Sequence, residues 1–158
     1  MNNLLFVCRE NRFRSVLAAQ YFVKLMDEKG LEDVCIGSAG TWTKNGLEPA
    51  PEARQIAEKY GIDLDHVKSK IVDQKLLEQS ALIVVMTENQ KEALCIEFPQ
   101  IKSRVTQLST ICEGVDYDIS DPFENPEETV ENIAEEILRL ISTGFDSIYN
   151  MVKTASLE

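Results

Sequence analysis

Four short apolar runs rich in β-favouring residues, at positions 4–8, 34–36, 81–86 and 105–108, each end in polar or turn residues and are separated by stretches of helical periodicity. Residues 16–26 carry Ala18, Tyr21, Phe22 and Leu25 on one face, and residues 51–60 repeat Ala53, Ile56, Ala57 and Tyr60 before a stop signal at Gly61. Thr87 with Gln90 three places on reads as the capping box of a helix that runs through Leu94, Cys95 and Phe98 and ends at Pro99. A last helix is expected to start at Asn125-Pro126-Glu127-Glu128 and to bury Val130, Ile133, Ile137, Leu140 and Ile141. Strands that alternate with helices imply a parallel sheet covered on both faces, hence one three-layer α/β domain over residues 1–158 with right-handed crossovers. One connection stands apart. Positions 109–125 show no clear period, and irregular stretches of that length in compact domains are usually functional or disordered.

Charge narrows the partners. The chain carries a formal net charge of −11, which argues against a nucleic-acid surface, since phosphate backbones are held by clustered Lys and Arg. The acid is uneven: residues 111–140 hold ten Asp or Glu against the single Arg139, whereas Arg9, Arg12 and Arg14 cluster near the start with only Glu10 among them. A small basic site on an acidic body suits one anionic group better than a polyanion. The cysteines Cys8, Cys35, Cys95 and Cys112 form no CxxC pair and no metal-site spacing, so reduced thiols in the cytoplasm are expected. No apolar run approaches the ~18 residues of a membrane span, and no membrane partner is expected. Nothing in the sequence sets an oligomeric state.

The stretch VCRENRFRS joins these two lines. Its thiol, Cys8, closes the first strand, and ligands of open α/β sheets bind at the carboxyl ends of strands. The loop after it runs into a helix, whose first N–H groups have no intrahelical partners and attract anions. The same field favours a thiolate, which is a strong nucleophile. In the spacing C-x5-R, the intervening Arg9, Glu10, Asn11, Arg12 and Phe13 can curl their N–H groups inward around an anion, while Arg14 grips two of its oxygens in a bidentate fork. Ser15 is placed to donate a hydrogen bond to the thiolate, and Asn11 tolerates the left-handed backbone that such a loop often needs. The irregular stretch that follows carries Asp116, Asp118, Asp121 and Glu124, and composition alone does not choose among them.

These residues resemble the phosphate-binding loop C-x-x-N-x-C-R-S of the low-molecular-weight protein tyrosine phosphatases. GSAGT at 37–41, GLEPAPEA at 46–53, GIDLDHVKSK at 61–70, VVMTENQ at 84–90 and Asp121-Pro122 follow in that family's order over nearly the whole chain. The resemblance implies a flavodoxin-like fold with a four-stranded parallel sheet. It also implies hydrolysis of phosphate monoesters, typically phosphotyrosine in proteins or a small aryl phosphate, through a cysteinyl-phosphate and without metal or other cofactor. It makes Cys8 the nucleophile, Arg14 the phosphate clamp and Asp121 the general acid. Residues 9–15 then bind phosphate, His66 helps to hold the loop through Asn11, Ser15 and Ser38, and Trp42 and Phe123 wall the substrate ring. His66 also reads as a loop histidine without special role, and Phe123 as a loop anchor.

The chain departs from the pattern in several places. Phe13 stands where most members have a second cysteine that traps an oxidised nucleophile as a disulfide, so that protective route is absent. Val16 and Ala19 replace a common Pro and Glu, and Trp42 lies four rather than three residues before Gly46, which leaves its orientation open. Arg9 and Arg12 either select acidic sequence around a phosphotyrosine or are solvated rim charge. Two other functions share the loop. Arsenate reduction would pass electrons through two further cysteines, but Cys95 and Cys112 lack the close spacing of such a relay. A phosphate-recognising module with little turnover would not need Cys8, Arg14 and Asp121 together.

Overall fold

The computed structural model describes residues 2–124 and 129–155. Its strands are β1 (Asn2–Cys8), β2 (Val34–Gly40), β3 (Leu82–Val85) and β4 (Val105–Gln107). The helices are α1 (Arg14–Glu28), α2 (Pro51–Tyr60), α3 (Gln74–Glu78), α4 (Glu88–Glu97), α5 (Leu108–Glu113) and α6 (Val130–Thr154), with a 3₁₀ turn at Pro99–Arg104. The sheet is all parallel in the order β2-β1-β3-β4, so the chain winds outward in both directions from β1 and β3, and a crevice opens at their carboxyl ends. This is the expected α/β flavodoxin-like arrangement.

Alternation along β1 divides the core. Leu4 and Phe6 face the layer of α1, α2 and α6, while Leu5 and Val7 face the layer of α3, α4 and the 3₁₀ turn. Because both faces are covered, β1 and β3 are apolar throughout instead of alternating. Helix α2 has the predicted bounds, with Pro51 in its first turn and Gly61 left-handed at φ 69° past its end. The predicted capping box of α4 forms in full: Thr87 Oγ1 accepts from the Gln90 amide, and the Gln90 side chain accepts from the Thr87 amide.

Two corrections concern short elements. The segment expected to be irregular from 109 onward begins inside α5, which ends at Gly114 with φ 73°. Only Leu108 and Ser109 of its six residues are buried, too few to leave a period in the sequence. Helix α3 is shorter still, started by the Asp73 carboxylate accepting from the Leu76 amide at 2.7 Å. The predicted start of the last helix at 125–128 lies outside the described residues; within them, Thr129 caps α6 by accepting from Asn132 N at 3.0 Å.

Candidate active site

Cys8 ends β1, and residues 9–13 turn back before α1 begins at Arg14. Phe13 occupies the position before α1 and has no side-chain oxygen to cap it, so the first turn keeps its amides for another acceptor. Asn11 organises the turn. Its φ is +57°, the left-handed region, and it is the only non-glycine with positive φ among the described residues. Its amide donates to Cys8 Sγ at 3.3 Å, its Oδ1 accepts from Lys70 N at 2.9 Å, and its Nδ2 donates to Ser15 Oγ at 2.8 Å. The Lys70 amide can only donate, which fixes the orientation of the Asn11 amide group and makes Ser15 Oγ an acceptor from it. The Ser15 proton is then free for Cys8 Sγ, 3.0 Å away. The sulfur therefore faces two donors, the Asn11 amide and the Ser15 hydroxyl.

The end of β2 braces the loop from below. Thr41 N donates to the Cys8 carbonyl at 3.0 Å, and Trp42 N to that of Arg9 at 2.8 Å. Just before them lies Gly40, where a Cβ would meet the Arg9 carbonyl oxygen at 2.7 Å, so only glycine allows the loop to close this far. Segment 70–72 reaches the same glycine, with Gly40 N donating to Lys70 O and Val72 N to Gly40 O. Lys70 thus links the sheet edge to Asn11.

Opposite the thiol, Arg14 is 4% exposed, with Nη1 donating to the Ile119 carbonyl at 2.8 Å and Nη2 lying 3.6 Å from Asp121 Oδ2. Ile119 is itself tied to the end of β3 through its amide and the Met86 carbonyl, at 3.0 Å. Of the four carboxylates that composition left open, three are engaged elsewhere. Asp116 accepts from Thr110 Oγ1, Asp118 accepts from the Glu88 amide at the start of α4 and from Gln107, and Glu124 pairs with Arg9. Asp121 alone of the four lines the small pocket that also holds Cys8, Arg14 and Phe123.

A profile of the family described as "Low molecular weight phosphotyrosine protein phosphatase" matches residues 3–154. The chain belongs to that family. It is 30% identical to a protein-arginine-phosphatase of Geobacillus stearothermophilus over 87% of this chain and 90% of the relative. It is 29% identical to the low molecular weight protein-tyrosine-phosphatase Ptp of Acinetobacter johnsonii, over 78% and 81%. The solved low molecular weight protein tyrosine phosphatase from T. tengcongensis superposes with a TM-score of 0.83 at 26% identity, covering 92% of this chain and 99% of that one.

Other residues that the family resemblance singled out are less uniformly placed. Phe123 and Phe13 meet edge to face at 5.7 Å, so the phenylalanine in the usual cysteine position packs against the pocket wall. Trp42 is 65% exposed at the rim, with the Arg9 guanidinium 4.7 Å from its ring centroid. Glu10 and Arg12 line the pocket mouth, Arg12 held by donation from its Nε to the Glu48 carbonyl at 2.8 Å. The loop-holding role expected of His66 is corrected. Its side chain is exposed and lies 3.9 Å from Asp63, and no hydrogen bond joins His66 or Ser38 to Asn11 or Ser15 among the described residues. The backbone amide of Lys70 does that work, a contribution that side-chain identity could not announce.

The cysteine relay of an arsenate reductase also lacks a path. Cys112 packs with the α1–α6 layer and Cys95 with the opposite layer, so the sheet lies between them. Burial pushes the Cys112 thiol up to about 12. Among the described residues no group of three or more His, Cys, Asp or Glu is arranged to hold a metal ion, and no helix is long and apolar enough to cross a membrane.

Proposed function

We propose that this chain hydrolyses phosphate monoesters of aromatic alcohols, phosphotyrosine in proteins foremost, through a cysteinyl-phosphate. The observation that carries the reading is the single pocket shared by the Cys8 sulfur, the Arg14 guanidinium and the Asp121 carboxyl group. Cys8 attacks phosphorus, forming an S–P bond as the ester O–P bond breaks, and the protonated Asp121 carboxyl gives its proton to the departing phenolate. Arg14 turns its fork onto two equatorial oxygens and compensates the charge of the transition state. Asp121, now ionised, takes a proton from water as that water attacks the thiophosphate. The S–P electrons return to Cys8, whose thiolate Ser15 and the Asn11 amide stabilise as a leaving group.

A second substrate deserves an arm of the test because of the name carried by the Geobacillus relative. In phosphoarginine the leaving atom is nitrogen, and the same acid would protonate it. Phe13 and Phe123, which meet edge to face in the pocket wall, favour an aromatic leaving group. Turnover is compared on p-nitrophenyl phosphate and on peptides bearing phosphotyrosine, phosphoserine, phosphothreonine and phosphoarginine. Phosphotyrosine is expected to lead, Cys8→Ser to abolish turnover, and Asp121→Asn to slow phosphotyrosine hydrolysis by ~10²–10⁴-fold. Tight phosphate binding without turnover would make the chain a recognition module, and preference for phosphoarginine would replace the tyrosine reading.

A further inference from the structure

Among the described residues seven large hydrophobic side chains are exposed, and three of them, Trp42, Leu47 and Ile71, line one groove of about 490 Å³. Clustered apolar exposure of this kind marks a binding surface more often than scattered exposure does. Glu10 and Arg12 line both this groove and the Cys8 pocket, so the two are continuous. The groove is also built to persist. Leu47 N donates to Ser69 Oγ at 2.8 Å and Ser69 N to the Leu47 carbonyl at 2.8 Å, while Ile71 N donates to Asn45 Oδ1 at 2.8 Å. Both aliphatic side chains thus stand on backbone pinned in place, which lowers the ordering cost of binding. Arg12 and Lys44 border the apolar strip and suit a ligand that arrives with an anionic group.

We propose that this groove receives an apolar side chain of the phosphorylated polypeptide itself, within the two residues flanking the one in the Cys8 pocket. The proposal rests on the phosphatase reading above. An extended chain advances ~3.3–3.6 Å per residue, so a residue one or two places away reaches a groove that shares its wall with the pocket. A small aryl phosphate has no such residue and does not use the groove.

The test compares kcat/KM for phosphotyrosine peptides carrying Leu or Ser at the flanking positions, with p-nitrophenyl phosphate as reference. Leu is expected to exceed Ser by about ten-fold, the worth of partly covering one aliphatic side chain. Leu47→Glu and Ile71→Glu should erase that preference while changing aryl phosphate turnover less than about two-fold. Leu47→Ser and Ile71→Ser repeat the comparison should either glutamate variant fold poorly. Aryl phosphate turnover with no flanking preference in the wild type, or a preference that survives these substitutions, overturns this inference alone. No aryl phosphate turnover in the wild type overturns the phosphatase reading and this inference with it. A dimer that Leu47→Glu dissociates, with peptide preference unchanged, would give the groove to a second copy of the chain and also overturn it.

Discussion

Replacing Gly40 with alanine probes how tightly the loop and the sheet are joined. The added Cβ lies 2.7 Å from the Arg9 carbonyl oxygen, 3.0 Å from the Glu10 carbonyl carbon and 3.0 Å from Thr43 Cγ2, where ordinary contact begins at 3.4 Å. Thr43 can rotate its methyl away. The Arg9 and Glu10 backbone cannot yield alone, because Trp42 N holds the Arg9 carbonyl and Asn11 is tied to Cys8, Ser15 and Lys70. The loop and its sulfur must therefore shift by roughly the shortfall, several tenths of an ångström. A misplacement of ~1 Å in a reacting group costs ~10²-fold, so kcat on p-nitrophenyl phosphate should fall by roughly 10–30-fold. Overpacking costs ~1–3 kcal/mol, and at ~2–4 °C per kcal/mol the melting temperature should drop by about 2–12 °C. Gly37→Ala in the same strand is the control, since its Cβ would meet only Leu5 Cδ1 at 3.6 Å. Steady-state kinetics and thermal unfolding of both variants decide the matter. A Gly40→Ala enzyme with kcat within two-fold of wild type and an unchanged melting temperature would refute the reasoning.

Asn11→Ala removes the acceptor of Lys70 N and the donor to Ser15 Oγ and strains a left-handed backbone, so urea unfolding should report a loss of ~2–4 kcal/mol. Asn11→Gly keeps the backbone conformation and should lose less. Prolonged peroxide should carry Cys8 past sulfenic acid, because Phe13 offers no thiol to trap it; full recovery of activity with a thiol reductant would count against this. The Cys112 thiol is raised to about 12 when folded, so above its ordinary value near 9.0 the unfolded chain loses that proton first. Stability from this group is complete below pH ~9 and is lost as pH rises toward ~12, and Cys112→Ala should flatten that part of an alkaline melting-temperature profile.

The elements that could be read from sequence were those with a local signature. Helix α2 is bracketed by Pro51 and Gly61, the start of α4 is written in Thr87 and Gln90, and the buried strands β1 and β3 are continuous apolar runs. Helices α3 and α5 escaped because five or six residues make little more than one turn and bury too few side chains to set a period. In the site, Cys8, Asn11, Arg14 and Ser15 fall within eight residues, so their proximity could be read directly. Asp121 could be separated from Asp116, Asp118 and Glu124 by family pattern, but physically only through the partners that occupy the other three. Lys70 could not be found at all, since its contribution comes from a backbone amide that every residue but proline possesses.

Arg14 is aimed by a carbonyl 105 positions later in the chain. A nascent polypeptide with its first strand and helix complete already owns the Cys8 thiol and the Arg14 guanidinium, yet has nothing to point the latter. Competence therefore arrives late in synthesis, once the strand ending near Met86 has docked and the segment around Ile119 has settled upon it. Fragments that stop short of that segment should display the thiol without the chemistry.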